Sequence, residues 1–246
     1  MKITKYLIST AILALTLTSC KTSPKDEKIV PVQELYNQGL ELLKEEDYSK
    51  AAEQFEKVFY QHPGHPITAS SELMNAYALY KNEEYDESID VIDIFIKLHP
   101  RNKDIAYAYY IKALAYYAQI SDVKLDQSRT ENALASLNEV IEKFPGSKYA
   151  TDAELKIDLV QDHLAGKEML VGRYYLNKNN PIAATKRFQY VVQDYSTTSH
   201  VPEALYRLVE SNEMLGLRAE ALKYHEVLKL NYPQSDWFKY SKKLID

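Results

Sequence analysis

The chain has 246 residues, 46% of them hydrophobic and 26% charged, with a net charge of −5. That balance suits one elongated globular array, and an acidic chain with no basic stripe argues against nucleic acid, whose phosphates need clustered Lys and Arg. A single cysteine, Cys20, excludes an intramolecular disulfide, and the six glycines form no phosphate-binding loop.

Lys2 and Lys5 open the chain, Tyr6 to Thr18 is a short apolar run, and Leu17-Thr18-Ser19-Cys20 closes it. The run falls short of the roughly 20 apolar residues of a membrane span and reads as a secretory signal over residues 1–19. Its ending resembles a bacterial lipobox, which implies cleavage before Cys20 and a diacylglycerol on the Cys20 thiol. A plain signal with an incidental cysteine, or a single-pass anchor, is the alternative. Each buried methylene contributes about 0.8 kcal/mol and one acyl chain holds only marginally, so the two or three chains of a bacterial lipoprotein, palmitate among them, would anchor stably. Residues 20–31 then serve as a polar tether. Lys21 stands where inner-membrane lipoproteins of many Gram-negative bacteria carry Asp, which by that resemblance implies the outer membrane, on its periplasmic face.

From Val32 onward one spacing recurs. Ala51, Phe55 and Pro63 lie at offsets 0, 4 and 12, repeated by Ser88, Ile92 and Pro100, by Ala133, Leu137 and Pro145, and by Ala221, His225 and Pro233. A small residue admits a neighbouring helix, a bulky one fills the gap a turn later, and a proline ends the helix. Ala184 and Phe188 keep the pattern with Ser196 in place of the proline. Steps of 37 residues separate Val32, Ala69 and Ala106, and again Ala165 and Pro202. About eight extra residues fall around Ser121–Arg129. Between Lys148 and Asn177 only Gly166 and Gly172 interrupt a helical spacing, so one long helix is expected there, bent if anywhere at Gly166. An ordinary helical bundle is the competing reading, but a bundle has no reason to keep a fixed register.

This pattern resembles the tetratricopeptide repeat. The resemblance implies an all-α, right-handed superhelical solenoid of about five tetratricopeptide-like helix-turn-helix repeats over residues 32–246, near 32–68, 69–105, 106–147, 148–199 and 200–235. Within it, Phe144-Pro145-Gly146-Ser147-Lys148-Tyr149 with Asp152-Ala153, then Leu164-Ala165, Glu168, Val171 and Tyr174-Tyr175, then Ala183-Ala184, Arg187-Phe188 and Asp194-Tyr195, and finally Glu203-Ala204-Leu205 and Leu215-Gly216 resemble the BamD family of outer-membrane β-barrel assembly lipoproteins. Asp126-Gln127 and Arg129 stand where many members carry a longer charged insertion. The resemblance implies a scaffold of the β-barrel assembly machine. Its C-terminal repeats would dock the barrel-forming core subunit, and its N-terminal groove would take unfolded outer-membrane proteins or a companion lipoprotein segment. Another envelope lipoprotein adaptor, for example in cell-wall synthesis, is the alternative.

The first helices of this repeat line a concave face. On units 1 to 3 that face collects Tyr36, Tyr77, Tyr80, Tyr107, Tyr110 and Tyr117, with Lys44 and Lys81 as its charges. Tyrosine combines large apolar area, few rotors and one hydroxyl, which suits peptide capture, and the family's substrates end in aromatic-rich strands. Packing of these rings between helices is the alternative for each. Units 4 and 5 present Arg173, Asn177, Glu203, Arg207, Glu210 and Glu213 instead, and Arg187 and Arg207 are candidates for ion pairs with a docked subunit. No enzyme, cofactor or metal is expected. His62 and His65 flank a Pro-Gly turn without a third ligand, and no acid–base pair sits in an evident cleft.

Overall fold

The computed structural model describes residues 29–246, so the lipidation expected at Cys20 and the signal expected over 1–19 lie outside the described residues. From Pro31 the chain forms one unit of eleven helices, with no strand among the described residues. They are α1 (Val32–Lys44), α2 (Tyr48–Gln61), α3 (Thr68–Lys81), α4 (Tyr85–Leu98), α5 (Ile105–Ala118), α6 (Ser128–Lys143), α7 (Lys148–Asn177), α8 (Pro181–Asp194), α9 (Val201–Met214), α10 (Arg218–Asn231) and α11 (Asp236–Ile245). Each packs on the next, while α3 also reaches α5, α5 reaches α7, and α9 reaches α11. Successive hairpins therefore stack as in a tetratricopeptide-like solenoid.

The recurring residues are the ones that hold the stack. Ala51, Phe55, Ser88, Ile92, Ala133, Leu137, Ala184, Phe188 and Ala221 are fully buried, and His225 nearly so. The bulky ring closes on a glycine of the preceding helix. A Cβ at Gly39 would stand 2.6 Å from Phe55 Cε1, and one at Gly172 would stand 2.7 Å from Phe188 Cζ. These glycines give up roughly 1 kcal/mol of helix propensity relative to alanine and allow helix–helix approach that no side chain permits. Where serine replaces alanine at the small position, Ser88 Oγ donates to the Ala76 carbonyl at 2.8 Å, so the hydroxyl is buried with a partner. His225 does likewise through Nδ1 and Ser241 Oγ at 2.9 Å.

The second helices end alike whether or not a proline follows. His62, His99, Phe144 and Tyr232 precede prolines and have φ near −130° with ψ near 50°. Tyr195 precedes Ser196 and keeps φ −124°, ψ 43°. There Tyr195 is buried, and Thr198 Oγ1 donates to its carbonyl at 2.8 Å. A buried ring and a capping hydroxyl thus do what a proline does elsewhere.

The turns inside units also repeat. Glu46, Glu83, Asn179 and Gly216 hold the same place after α1, α3, α7 and α9, all with positive φ (60°, 64°, 53° and 72°). A left-handed residue with a Cβ costs about 1–2 kcal/mol, and glycine's own entropy offsets part of that. Glu46→Gly and Glu83→Gly are each expected to stabilise the chain by about 0.5–1 kcal/mol in urea denaturation. Glu45→Gly, one residue earlier at φ −79°, should give no gain.

α7 is a single helix of 30 residues, capped by the Ser147 hydroxyl on the Ala150 N–H at 3.1 Å. It lies against α5 and α6 and also against α8, so it serves two neighbouring hairpins. The loop before α6 is pinned and not free: buried Gln127 donates to the Asp122 and Leu125 carbonyls, and Lys167 of α7 reaches the Leu125 carbonyl at 2.9 Å. α11 was not anticipated by the repeat. It packs on α9 and α10, and Arg218 holds it through the carbonyls of Leu244 and Ile245. Its signal was legible as Ser235, which caps the Phe238 N–H at 3.1 Å, ahead of Trp237 and Phe238. No helix among the described residues is long and apolar enough to cross a membrane.

Candidate partner-binding surface

Of the six tyrosines expected on the concave face, the structure brings four together. Tyr77 of α3 lies 6.5 Å from Tyr107 of α5, ring centre to ring centre. Tyr149 of α7 lies 5.5 Å from Tyr107 and 5.2 Å from Tyr110. Tyr80 lies close enough to Tyr107 and Tyr110 to add to the upward push on both phenols. The result is an aromatic ladder across α3, α5 and α7, half-buried with its edges open. Tyr36 stands apart, edge-on to Phe55 at 5.6 Å in the first hairpin's core. Tyr117 also stands apart, packed on the main core with the Lys156 ammonium 5.7 Å from its ring centre.

Tyr149 was missed as a site residue, although it opens the next first-helix position of the long helix. The two lysines expected on this face each have a partner. Lys44 pairs with Glu41 at 2.8 Å, and Lys81 stacks on Tyr48 at 5.3 Å. The charges beside the ladder are Asp152 and Lys156 of α7, paired at 2.7 Å. Tyr110 donates its hydroxyl to Asp152 at 2.5 Å.

Burial pushes the phenols of Tyr107 and Tyr110 well above their ordinary range, and for Tyr110 the hydrogen bond to Asp152 adds to it. They are neutral donors throughout the physiological range. Asp152 moves the other way, held below the usual carboxylate range by Lys156 first and Tyr110 second. Its folded value is depressed, so its contribution is present at neutral pH and lost as pH falls through that lowered value. Tyr110→Phe is expected to raise the Asp152 titration midpoint, read by carboxyl-carbon NMR. Asp152→Asn should remove that titration.

At the other end Arg173 pairs with Glu203 at 3.1 Å, and Arg207 pairs with both Glu203 at 3.3 Å and Glu210 at 2.8 Å. The Arg207 guanidinium also lies over Tyr206 and Trp237, so it joins α9 to α11. Arg187 pairs with Glu168 at 3.0 Å and remains half-exposed, beside Lys186, Tyr175 and Tyr190 in a shallow depression. Among the described residues no group of His, Cys, Asp and Glu could hold a metal ion.

Residues 29–228 match the family described as YfiO, outer membrane lipoprotein. The chain is 54% identical over all of its 246 residues to the outer membrane protein assembly factor BamD of Rickettsia prowazekii, covering 98% of that protein. The chain belongs to the BamD family. A second BamD, from Caulobacter vibrioides, is 42% identical over 94% of this chain and 77% of its own length. The fold alone is shared with a TPR repeats protein of Bacteroides fragilis, at TM-score 0.50 and 18% identity over 87% of this chain and 97% of that one. In this BamD-family chain the tyrosine ladder and the α9–α11 charge network therefore lie on one array of stacked hairpins, separated by the length of α7.

Proposed function

We propose that the chain is a lipid-anchored scaffold for assembly of outer-membrane β-barrel proteins, held at the periplasmic face of the outer membrane through Cys20. The observation that carries the reading is the ladder of Tyr77, Tyr107, Tyr149 and Tyr110 across three helices, in a chain whose relatives are named outer membrane protein assembly factors. Rigid aromatic edges with neutral hydroxyls offer apolar area and hydrogen bonds at low entropic cost, which suits an extended segment of an unfolded substrate or a companion lipoprotein. The C-terminal repeats dock the barrel-forming core subunit. Arg187 is the exposed cation for that contact, and Arg207 sets the shape of the docking face by fixing α11 to α9. No step of this function needs a cofactor.

Depleting the protein is expected to remove barrel proteins from the outer membrane, measured by quantitative proteomics of that membrane. Cys20→Ser should give the same loss if the anchor matters. Barrel proteins at normal levels, with cell-wall enzymes recovered in mild detergent instead, would favour the adaptor reading.

A further inference from the structure

A second concavity lies on the other side of α3. Glu72, Asn75 and Leu79 fall about 140° around that helix from Tyr77 and Tyr80, and they floor a cleft between α2 and α4 of about 440 Å³. Phe59, Val91 and Ile94 supply its apolar surface, with Phe59 and Ile94 38% and 51% exposed. Its rim is acidic throughout: Glu53, Glu56, Glu84 and Glu87 line it, and no Lys or Arg does. None of the four forms an ion pair among the described residues, whereas Asp152 on the tyrosine side and Glu203 and Glu210 in the C-terminal repeats are paired.

One polar group in the floor lacks what it needs. Asn75 is 7% exposed, and its Nδ2 donates to the Ala52 carbonyl at 3.1 Å. That bond fixes the amide orientation, and Oδ1 is left without a partner. Buried polar atoms are almost always satisfied, so an orphaned acceptor beneath an apolar cleft points to a donor supplied from outside. Neighbouring Glu72 is held by His99 Nε2 at 3.0 Å and is not available for that role.

We infer that this cleft is a docking site for a basic amphipathic peptide segment of a partner protein. Such a segment lays apolar side chains over Phe59, Val91 and Ile94, sets Lys or Arg against the four glutamates, and offers an N–H to Asn75. The charge of the rim selects against nucleic acid and anionic lipid headgroups, which carry the wrong sign. The site lies apart from the tyrosine ladder, so an occupant here leaves the groove proposed for substrate free.

The probe is a fluorescent synthetic peptide with Leu and Lys at helical spacing, titrated into the full-length protein in detergent and read by anisotropy. Binding is expected to weaken at least about 10-fold in Glu53→Gln/Glu56→Gln/Glu87→Gln, whose changes are exposed and leave the core intact, and similarly on raising the salt. Val91→Trp, which fills the cleft, should abolish it, with circular dichroism confirming the fold. The proposal is overturned if the triple variant binds as the parent does, or if a peptide with Glu for Lys binds equally well. It is also overturned if sedimentation shows a self-associated protein that Val91→Trp dissociates, since the occupant would then be a second copy of this chain.

Discussion

Phe188→Ala is expected to destabilise the protein by about 3–5 kcal/mol. Its ring is fully buried in the cluster that includes Met169, Ala184, Val191, Ala204 and Leu208, and so joins α7, α8 and α9. Removing it leaves a cavity that the neighbouring helices cannot close, because each is held by a further hairpin. Gly172→Ala tests the same contact from the other side. It inserts a methyl where the ring already sits, an overpacking cost of about 1–3 kcal/mol that outweighs the roughly 1 kcal/mol gained in helix propensity. Urea denaturation followed both by helical circular dichroism and by Trp237, the sole tryptophan, measures both. Trp237 lies in α11, so coincident curves would also show that the stack unfolds as one unit. A Phe188→Ala loss below about 1 kcal/mol would mean the interlock is not what holds these hairpins together.

The largest functional effect is expected from Tyr77→Ala/Tyr110→Ala. Aromatic anchors in a desolvated groove are worth about 2 kcal/mol each, near 30-fold in affinity, so the pair should lower binding of an aromatic-ended peptide by roughly 1000-fold. Tyr110→Ala also strips Asp152 of a hydrogen bond. Tyr110→Phe separates the two effects, since it keeps the ring in place against Tyr149 and should retain most of the binding. Tyr60→Ala, at a side chain 70% exposed and far around the fold from the ladder, is the control. Fluorescence anisotropy with matched melting curves reads all three variants. Unchanged peptide binding in the double variant would remove the groove from the function.

The residues legible in the sequence were those whose role is fixed within one hairpin. Ala51 and Phe55, Ala133 and Leu137, and Ala184 and Phe188 are buried because a helix turns every 3.6 residues whatever surrounds it. The helical spacing after Ser147, broken by no proline before Asn177, likewise specified the long α7. The family was legible for a related reason, since its motifs are contiguous segments at the joints between hairpins.

The site was less legible because it depends on how far each hairpin rotates against the next. Spacing placed Tyr36, Tyr77, Tyr80, Tyr107, Tyr110 and Tyr117 alike, yet only Tyr77, Tyr80, Tyr107 and Tyr110 come together, and the ring that joins Tyr107 to Tyr110 is Tyr149 of another helix. Arg187 and Arg207 looked equivalent as surface cations, but Arg207 is enclosed by Glu203, Glu210 and Trp237, whereas Arg187 keeps an open side. The orphaned Asn75 acceptor had no sequence signal at all, because it exists only where α2, α3 and α4 converge. Local periodicity, set by backbone geometry, thus determined the helices, their register and their buried faces. Which side chains share a surface, and which charges are already paired, was decided only by the tertiary stacking, since those distances span residues tens of positions apart and follow from inter-helix packing that no single segment encodes.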